Sequence, residues 1–317
     1  MNSQNKQTHL FGPVPSRRLG RSLGVDLVPF KTCTFDCVYC QLGRTTDLTM
    51  ERQAFVSPQV ILDELRERLA VADRPDFITL SGSGEPTLCE GLGRIIRGIK
   101  TFTDVPVAVL TNGSLLWSEE VRQELMDADL VVPSLDAGDD KLYRYINRPC
   151  GGLAFDQLVE GLVAFRQECN KPIWLEVFLL SGVNSVEADV RRIADIAKRI
   201  GPDKVQLNTV ARPPAEEFAM AVPEEQMEKL ARLFEVETDI VADYRNIHEA
   251  SDVVSSREDV LTLLRRRPCT VEDVASGLGI HRNEVVKHLG ELVQQGRVTT
   301  HMTNSKSYYQ AKQETTI

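Results

Sequence analysis

Gly-Val-Asp-Leu-Val-Pro-Phe-Lys-Thr-Cys-Thr-Phe-Asp-Cys-Val-Tyr-Cys-Gln-Leu-Gly, residues 24–43, joins an apolar run to three clustered thiols. Gly24 to Pro29 reads as a first strand whose C-terminal end delivers Cys33, Cys37 and Cys40 in one short loop. A thiolate is a soft ligand that selects iron–sulfur clusters, zinc or copper(I). The spacing is three residues, then two, between successive cysteines, which leaves one metal position unsupplied if the group is a cube of four irons. An open position is what an iron needs to take a second ligand and do chemistry. Structural zinc would want a fourth Cys or His close by, and the nearest histidine, His9, lies upstream on a polar tail.

The 317 residues exceed the usual size of one domain, so one large enzyme domain with a small appendage is expected. Charged residues at 26% and hydrophobic ones at 42% place the chain among soluble globular proteins and leave only its ends as candidates for disorder. There is no run of about 18 apolar residues to span a bilayer. The start Met-Asn-Ser-Gln-Asn-Lys-Gln-Thr-His lacks the apolar core of a signal peptide, so the expected location is cytoplasmic, with no membrane partner. Seven cysteines in a reducing compartment argue against a disulfide framework. Cys89, Cys150, Cys169 and Cys269 are scattered and read as buried or loop thiols, and no second cluster-binding cassette is visible. The net charge of −9 disfavours non-specific nucleic-acid binding. It is unevenly spread, since nine Lys/Arg stand against seven Asp/Glu from residue 256 onward and 28 against 39 before it.

Beyond the cysteines the chain alternates. Helical patterns over Ser57–Ala70, Leu92–Lys100, Glu119–Met126, Leu153–Glu168 and Val190–Ile200 separate apolar runs at Phe77–Leu80, Val105–Leu110, Leu130–Pro133, Ile173–Leu180 and Lys204–Leu207. Counting the first strand, that makes six strand-then-helix units, which implies a parallel sheet with crossover helices. A barrel and a flat doubly wound sheet both satisfy the alternation. Polar or small-residue tips after every strand, not at one switch point, favour the barrel.

Three segments flank this core. Residues 1–24 form an N-terminal basic Gly/Pro segment, in which Arg17, Arg18 and Arg21 read either as an anion-binding approach or as a solvated loop. Residues 25–215 are the expected barrel and 216–255 a helical extension, the segment Ala215–Ile240 being read as helical. From 256 to 312 the pattern is helix, helix, Gly-containing turn, helix and β-hairpin, the layout of a winged helix-turn-helix, and 313–317 is a disordered tail. Its third helix presents His281, Arg282, Asn283, Lys287 and His288, side chains able to meet phosphates or base edges, beside Glu284 and Glu291, so docking of RNA and docking of protein are both open. Cys150, on the loop 141–152, reads as a loop thiol without a local base.

The C-x3-C-x2-C spacing with Tyr39 before the last cysteine resembles the signature of radical S-adenosylmethionine (SAM) enzymes. With Phe-Gly-Pro-Val-Pro-Ser-Arg-Arg-Leu-Gly (11–20) and Ser-Gly-Ser-Gly-Glu-Pro-Thr-Leu (81–88), it resembles a subfamily related to the enzymes that build the wyosine base on tRNA. The resemblance implies an α/β fold with a partial (β/α)6 TIM-like barrel, followed here by the small winged-helix domain. It further implies a [4Fe–4S] cluster held by Cys33, Cys37 and Cys40, with the fourth iron chelating SAM, and reductive cleavage to a 5′-deoxyadenosyl radical that abstracts hydrogen from a substrate. Gly84 and Glu85 fall in the region that binds the methionine amino group, with Ser83 where the first glycine of that region would be. By position Tyr39 packs near the adenine, Ser134 and Asp136 face the ribose, and Asn112, Asn184 and Asn208 line the pocket. The implied partners are SAM, a low-potential donor of flavodoxin or ferredoxin type, and an RNA or protein met through the winged helix. The substrate readings are a tRNA base, a protein or small metabolite, and, as a non-enzyme, a SAM- or redox-sensing DNA-binding regulator.

Overall fold

The computed structural model describes residues 8–16, 18–71, 74–212, 214–241, 257–278, 282–303 and 306–312. The chain opens with an antiparallel hairpin, β1 (Leu10–Ser16) and β2 (Gly20–Val25), closed at a turn where Gly20 takes a positive φ of 65°. Two short strands, β3 (Thr32–Cys33) and β4 (Asp47–Leu48), bracket the cysteine loop. There follow α1 (Pro58–Val71), β5 (Phe77–Leu80), α2 (Leu92–Ile99), β6 (Val107–Thr111), α3 (Glu119–Leu125), β7 (Leu130–Pro133), α4 (Asp140–Ile146) and α5 (Phe155–Glu168). The core ends with β8 (Trp174–Leu179), α6 (Glu187–Ile200), β9 (Lys204–Thr209), α7 (Glu224–Ala231) and β10 (Thr238–Ile240).

Strands β2, β5, β6 and β7 pair in parallel, and β8, β9 and β10 form a second parallel set. Single parallel bridges, Val131 to Ile173 and Ser134 to Glu176, join the two sets between β7 and β8. The result is an open, curved sheet in the order β1-β2-β5-β6-β7-β8-β9-β10, the partial TIM-like barrel expected from the alternation. The central strands β5, β6 and β7 are short apolar runs buried nearly throughout, as parallel sheets require, whereas β8 alternates buried Leu175, Val177 and Leu179 with half-buried residues. Helices cover the outside through apolar stripes such as Ile61, Leu62 and Leu65 of α1 and Ile95, Ile96 and Ile99 of α2, all buried. Each such side chain contributes about 1.5–3 kcal/mol.

Four readings of the sequence need correcting, the simplest being that the loop 141–152 is helical at its start, as α4. The first strand ends at Val25 and begins at Gly20, because residues from Asp26 onward leave the sheet to build the loop. The Gly/Pro-rich segment before it is a strand of the sheet, the prolines being tolerated on an edge. The segment Ala215–Ile240 is helical only over α7, and its end is a seventh parallel strand, β10. Charges on that edge strand are met from β9, where Lys204 Nζ lies 2.9 Å from both Glu237 and Asp239 carboxylates.

Three more helices and a hairpin complete the described chain: α8 (Arg257–Arg266), α9 (Val271–Leu278), α10 (Arg282–Gln294), then antiparallel β11 (Val298–Thr303) and β12 (Lys306–Ala311). A capping box starts α9, with Thr270 N–H donating to Asp273 Oδ2 at 2.9 Å and Asp273 N–H to Thr270 Oγ1 at 3.1 Å. The apolar core of this C-terminal unit, built on Leu261, Leu264, Val274 and Leu289, takes in Val14 and packs against Phe11 of β1. The unit is thereby anchored on the edge of the barrel sheet. Among the described residues no helix is long and apolar enough to cross a membrane.

Candidate active site

The cysteine loop is held by backbone bonds on two sides. Lys31 N–H donates to Ser83 O at 2.7 Å and Glu85 N–H to Thr32 O at 3.1 Å, so the loop lies flush against the turn after β5. On the other side Val38 N–H donates to Ile146 O at 2.9 Å and Cys150 N–H to Thr34 O at 2.8 Å, clamping the loop to the end of α4. Nested turns, Cys40 N–H to Cys37 O and Gly43 N–H to Cys40 O, both 3.1 Å, bring the thiols to one side. All three line a cavity of about 390 Å³ at the C-terminal strand ends, together with Tyr39, residues 81–84, Glu176, Phe178, Asn208 and several cationic side chains.

The thiols are suited to a cationic metal group. Burial first, then the Glu85 carboxylate, pushes Cys33 up to about 12, and burial also raises Cys37 and Cys40. Thiolates in such a place are stabilised by a metal, which deprotonates its ligands outright. Side-chain amides already aim at two of the sulfurs, Asn112 Nδ2 at 3.6 Å from Cys33 Sγ and Asn147 Nδ2 at 3.5 Å from Cys37 Sγ. Among the described residues no three His, Cys, Asp or Glu side chains close on one metal ion. A four-iron cube binds each thiolate to a different iron, so its ligands stand wider apart than those of a single ion. Three soft thiolates on one cavity, with one position left for a further ligand, fit such a cluster.

The remaining sequence-predicted residues are placed as follows. Tyr39 lines the cavity, stacks on Phe178 with ring centroids 3.9 Å apart, and donates to Asp136 Oδ2 at 2.5 Å. Gly84 lines it too, in a position where a Cβ would stand 1.8 Å from Thr32 O. Glu85 is buried behind the wall and is not among the lining residues. Its carboxylate accepts from Thr87 N–H (3.1 Å), Thr87 Oγ1 (2.6 Å), Thr111 Oγ1 (2.6 Å) and Asn112 N–H (2.7 Å), tying the ends of β5 and β6 together. Asn112 sits over the cysteine loop, with Nδ2 2.7 Å from Thr34 Oγ1. Ser134 continues β7 and pairs with Glu176, away from the cavity lining. Asp136 is buried, accepting from Tyr39, from Asn147 Nδ2 at 2.7 Å and from Phe178 N–H at 2.9 Å. Burial pushes its carboxyl up to about 6. Asn208 lines the cavity, whereas Asn184 is wholly buried in the turn after β8. Arg17 and His281 lie outside the described residues.

Several functional candidates are not evident from local sequence. Asn147 bridges Cys37 and Asp136 from a loop 110 residues away. Arg266 and Arg267, at the end of α8, line the cavity from the C-terminal unit. Arg266 donates to Ser83 Oγ at 2.9 Å, pairs with Asp26 and lies over the Phe11 ring at 5.2 Å. Tyr308 donates to Ala211 O at 2.5 Å, and Arg212 faces Gln41 Oε1 at 3.2 Å and Asp273 Oδ1 at 3.7 Å. The C-terminal unit is therefore one wall of the cavity. The sequence signal that could have found it is the Arg265-Arg266-Arg267 run at the end of α8.

Comparison with known proteins bears on the family and the fold. A family model described as the Radical SAM superfamily matches residues 27–197, more than half of the chain. A UPF0026 protein of Methanocaldococcus jannaschii is 33% identical over 311 residues, covering 95% of each chain. A protein named GTPase Obg from Brachyspira hyodysenteriae is 39% identical over 310 residues, 97% of this chain and 46% of that one, so the chain spans less than half of that relative. In fold, a radical SAM methyltransferase from Sphaerobacter thermophilus aligns with a TM-score of 0.57 at 18% identity, over 70% of this chain and 66% of that one. The chain belongs to the radical SAM superfamily, a family of iron–sulfur enzymes whose cofactors are a [4Fe–4S] cluster and SAM.

Proposed function

We propose that this protein is a radical SAM oxidoreductase in which Cys33, Cys37 and Cys40 hold the cluster and the cavity above them holds SAM and substrate. The observation that supports this reading is the convergence of the three thiols and the 81–84 loop on one cavity at the C-terminal strand ends. When bound, the cluster and SAM supply a 5′-deoxyadenosyl radical that takes a hydrogen atom from the substrate. The chain's own residues bind, orient and exclude water. Asn112 and Asn147 donate toward the cysteine sulfurs, and the Tyr39–Phe178 stack offers a flat apolar surface beside the loop. Main-chain groups of 81–84, which line the cavity, are assigned to the methionine moiety, with Glu85 fixing their geometry from behind.

For the substrate we favour a base of RNA, brought by the C-terminal unit, because that unit abuts the cavity and exposes Arg282 and Lys287 on α10. Its closure over the cavity through Arg266 supports a second reading, a small metabolite or a peptide segment enclosed there. A cytoplasmic location and a flavodoxin- or ferredoxin-type donor complete the proposal, since a reducing compartment keeps the thiols available.

The test is anaerobic reconstitution with iron and sulfide, reduction, and measurement of 5′-deoxyadenosine. Product from the wild type and none from each Cys→Ala variant is expected. Equal yields from wild type and variants would sink the reading. Salt-dependent tRNA binding weakened by Arg282→Glu with Lys287→Glu separates the RNA reading from the enclosed small substrate.

A further inference from the structure

We propose that the cavity contains an oxyanion subsite, built by Arg18 from the β1–β2 turn and Arg267 from the end of α8, that takes a phosphate or carboxylate group of the substrate. The proposal deepens the reading of this cavity as that of a radical SAM enzyme and rests on it.

Both arginines line the cavity. Arg18 donates through Nη2 to Glu176 Oε1 at 2.5 Å, and its side chain is 11% exposed. Among the described residues its Nη1 is buried without a hydrogen-bond partner, and so is Arg267 Nη2. A buried donor left unmade costs about 1–3 kcal/mol, and more on a charged group. Two such donors on residues that line one cavity have no acceptor among the described residues, and an anion placed there would supply one.

The balance of charge agrees. The lining carries Arg18, Lys31, Arg212, Arg266 and Arg267 against one carboxylate, Glu176. Arg266 is met by Asp26, Arg212 faces Asp273, and Lys31 places Nζ over Gly43 on the cysteine side. Arg18 is met by Glu176 but keeps Nη1 over, and Arg267 keeps Nη2 over, so these two lining cations have N–H groups to spare among the described residues. A guanidinium presents planar paired N–H groups that match phosphate and carboxylate oxygens. Because one arginine belongs to the barrel sheet and the other to the C-terminal unit, an anion held between them also fastens that wall.

The test uses the full chain and two probes, inorganic pyrophosphate and malonate, each titrated at low salt by calorimetry. One of them is expected to saturate, with affinity lowered about tenfold or more in Arg18→Gln, Arg18→Lys and Arg267→Gln. Arg18→Lys preserves a cation for Glu176 and removes the planar, forked guanidinium that reaches Glu176 and an anion together, which separates loss of the subsite from loss of fold. Arg191→Gln, on the exposed face of α6 where Arg191 pairs with Glu187, should stay within about twofold of wild type. Saturation by pyrophosphate alone assigns a phosphate group, and by malonate alone a carboxylate. A tenfold loss of SAM affinity in either arginine variant of the reconstituted protein, about 1.4 kcal/mol, overturns the proposal by giving these residues to the SAM carboxylate. Failure of both probes to saturate, or equal weakening by Arg191→Gln, overturns it as well. The titration needs no SAM cleavage, so absence of 5′-deoxyadenosine would count against the proposed function alone.

Discussion

Gly84 and Thr32 meet backbone to backbone: a Cβ at Gly84 would stand 1.8 Å from the Thr32 carbonyl oxygen, and the adjacent Glu85 N–H donates to that oxygen at 3.1 Å. The loop that carries the cysteines and the loop that follows β5 are thus a single contact surface. Neither can move without the other.

Gly84→Ala should therefore separate the two loops. The clash is with main chain and cannot be relieved by rotating a side chain, so a loss of about 3 kcal/mol or more is expected, at or above the upper end of ordinary overpacking. Chemical denaturation gives the stability, and iron and sulfide content after reconstitution gives the site. An Ala variant with wild-type stability and full iron content would show that the loops have slack the structure does not.

Asn147 joins the cysteine loop to the buried carboxyl of Asp136, donating to both. An N–H bond to a ligating sulfur tunes a cluster's potential without supplying a ligand. Asn147→Leu should keep three thiols and most of the iron, yet lower the rate of SAM cleavage by about 10–100-fold. The discriminating measurement is the cluster's reduction potential, which a purely structural role would leave in place.

Asp136 makes the metal-free protein sensitive to pH. Burial raises its carboxyl from the ordinary 3.8 to about 6, outweighing the bonds from Tyr39, Asn147 and Phe178 N–H that pull it down. The folded state then holds a proton that the unfolded chain has released, so this group's stabilisation is full below the unfolded value and is lost as pH rises through about 6. Glu85, also raised by burial, acts in the same direction. Stability of the apoprotein should fall by on the order of 3 kcal/mol through Asp136 across that window, with Glu85 adding in the same direction. Asp136→Asn should flatten the fall, and urea melts at several pH values between these limits would show it.

What could be read in advance follows from how local each signal is. Buried parallel strands such as Phe77–Leu80 and Leu130–Pro133 are short apolar runs between amphipathic helices, and both were legible at their observed bounds. The edge strand β10 has three residues, one of them Asp239, and its pairing depends on Lys204 of another strand. The cysteine loop is legible because its thiols are neighbours in sequence. Asn147 and Arg267 reach the same cavity from elements whose placement only the folded chain determines. Glu85 and Asp136 were picked out by position after a strand, but position does not say which way a carboxylate turns, and both are satisfied inside the protein.

The C-terminal unit should melt with the barrel. Its core includes Val14 of β1, and its Asp273 both accepts from Thr270 N–H in the capping box of α9 and faces the buried Arg212 of the barrel, each side chain 4% exposed. Asp273→Ala removes the reciprocal half of the capping box, the bond from Thr270 N–H, worth about 1 kcal/mol. It also removes the charge opposite a buried guanidinium, a change that typically costs about 3–5 kcal/mol. Tyr308→Phe, which deletes only the bond to Ala211 O, should cost about 1 kcal/mol. Calorimetry of the full chain is expected to show one transition in the wild type, shifted down slightly by Tyr308→Phe and strongly by Asp273→Ala. Two separate wild-type transitions, with only the weaker one moved by Asp273→Ala, would mean that the unit folds independently and that its wall of the cavity is a docked surface, not part of the barrel's own cooperative core.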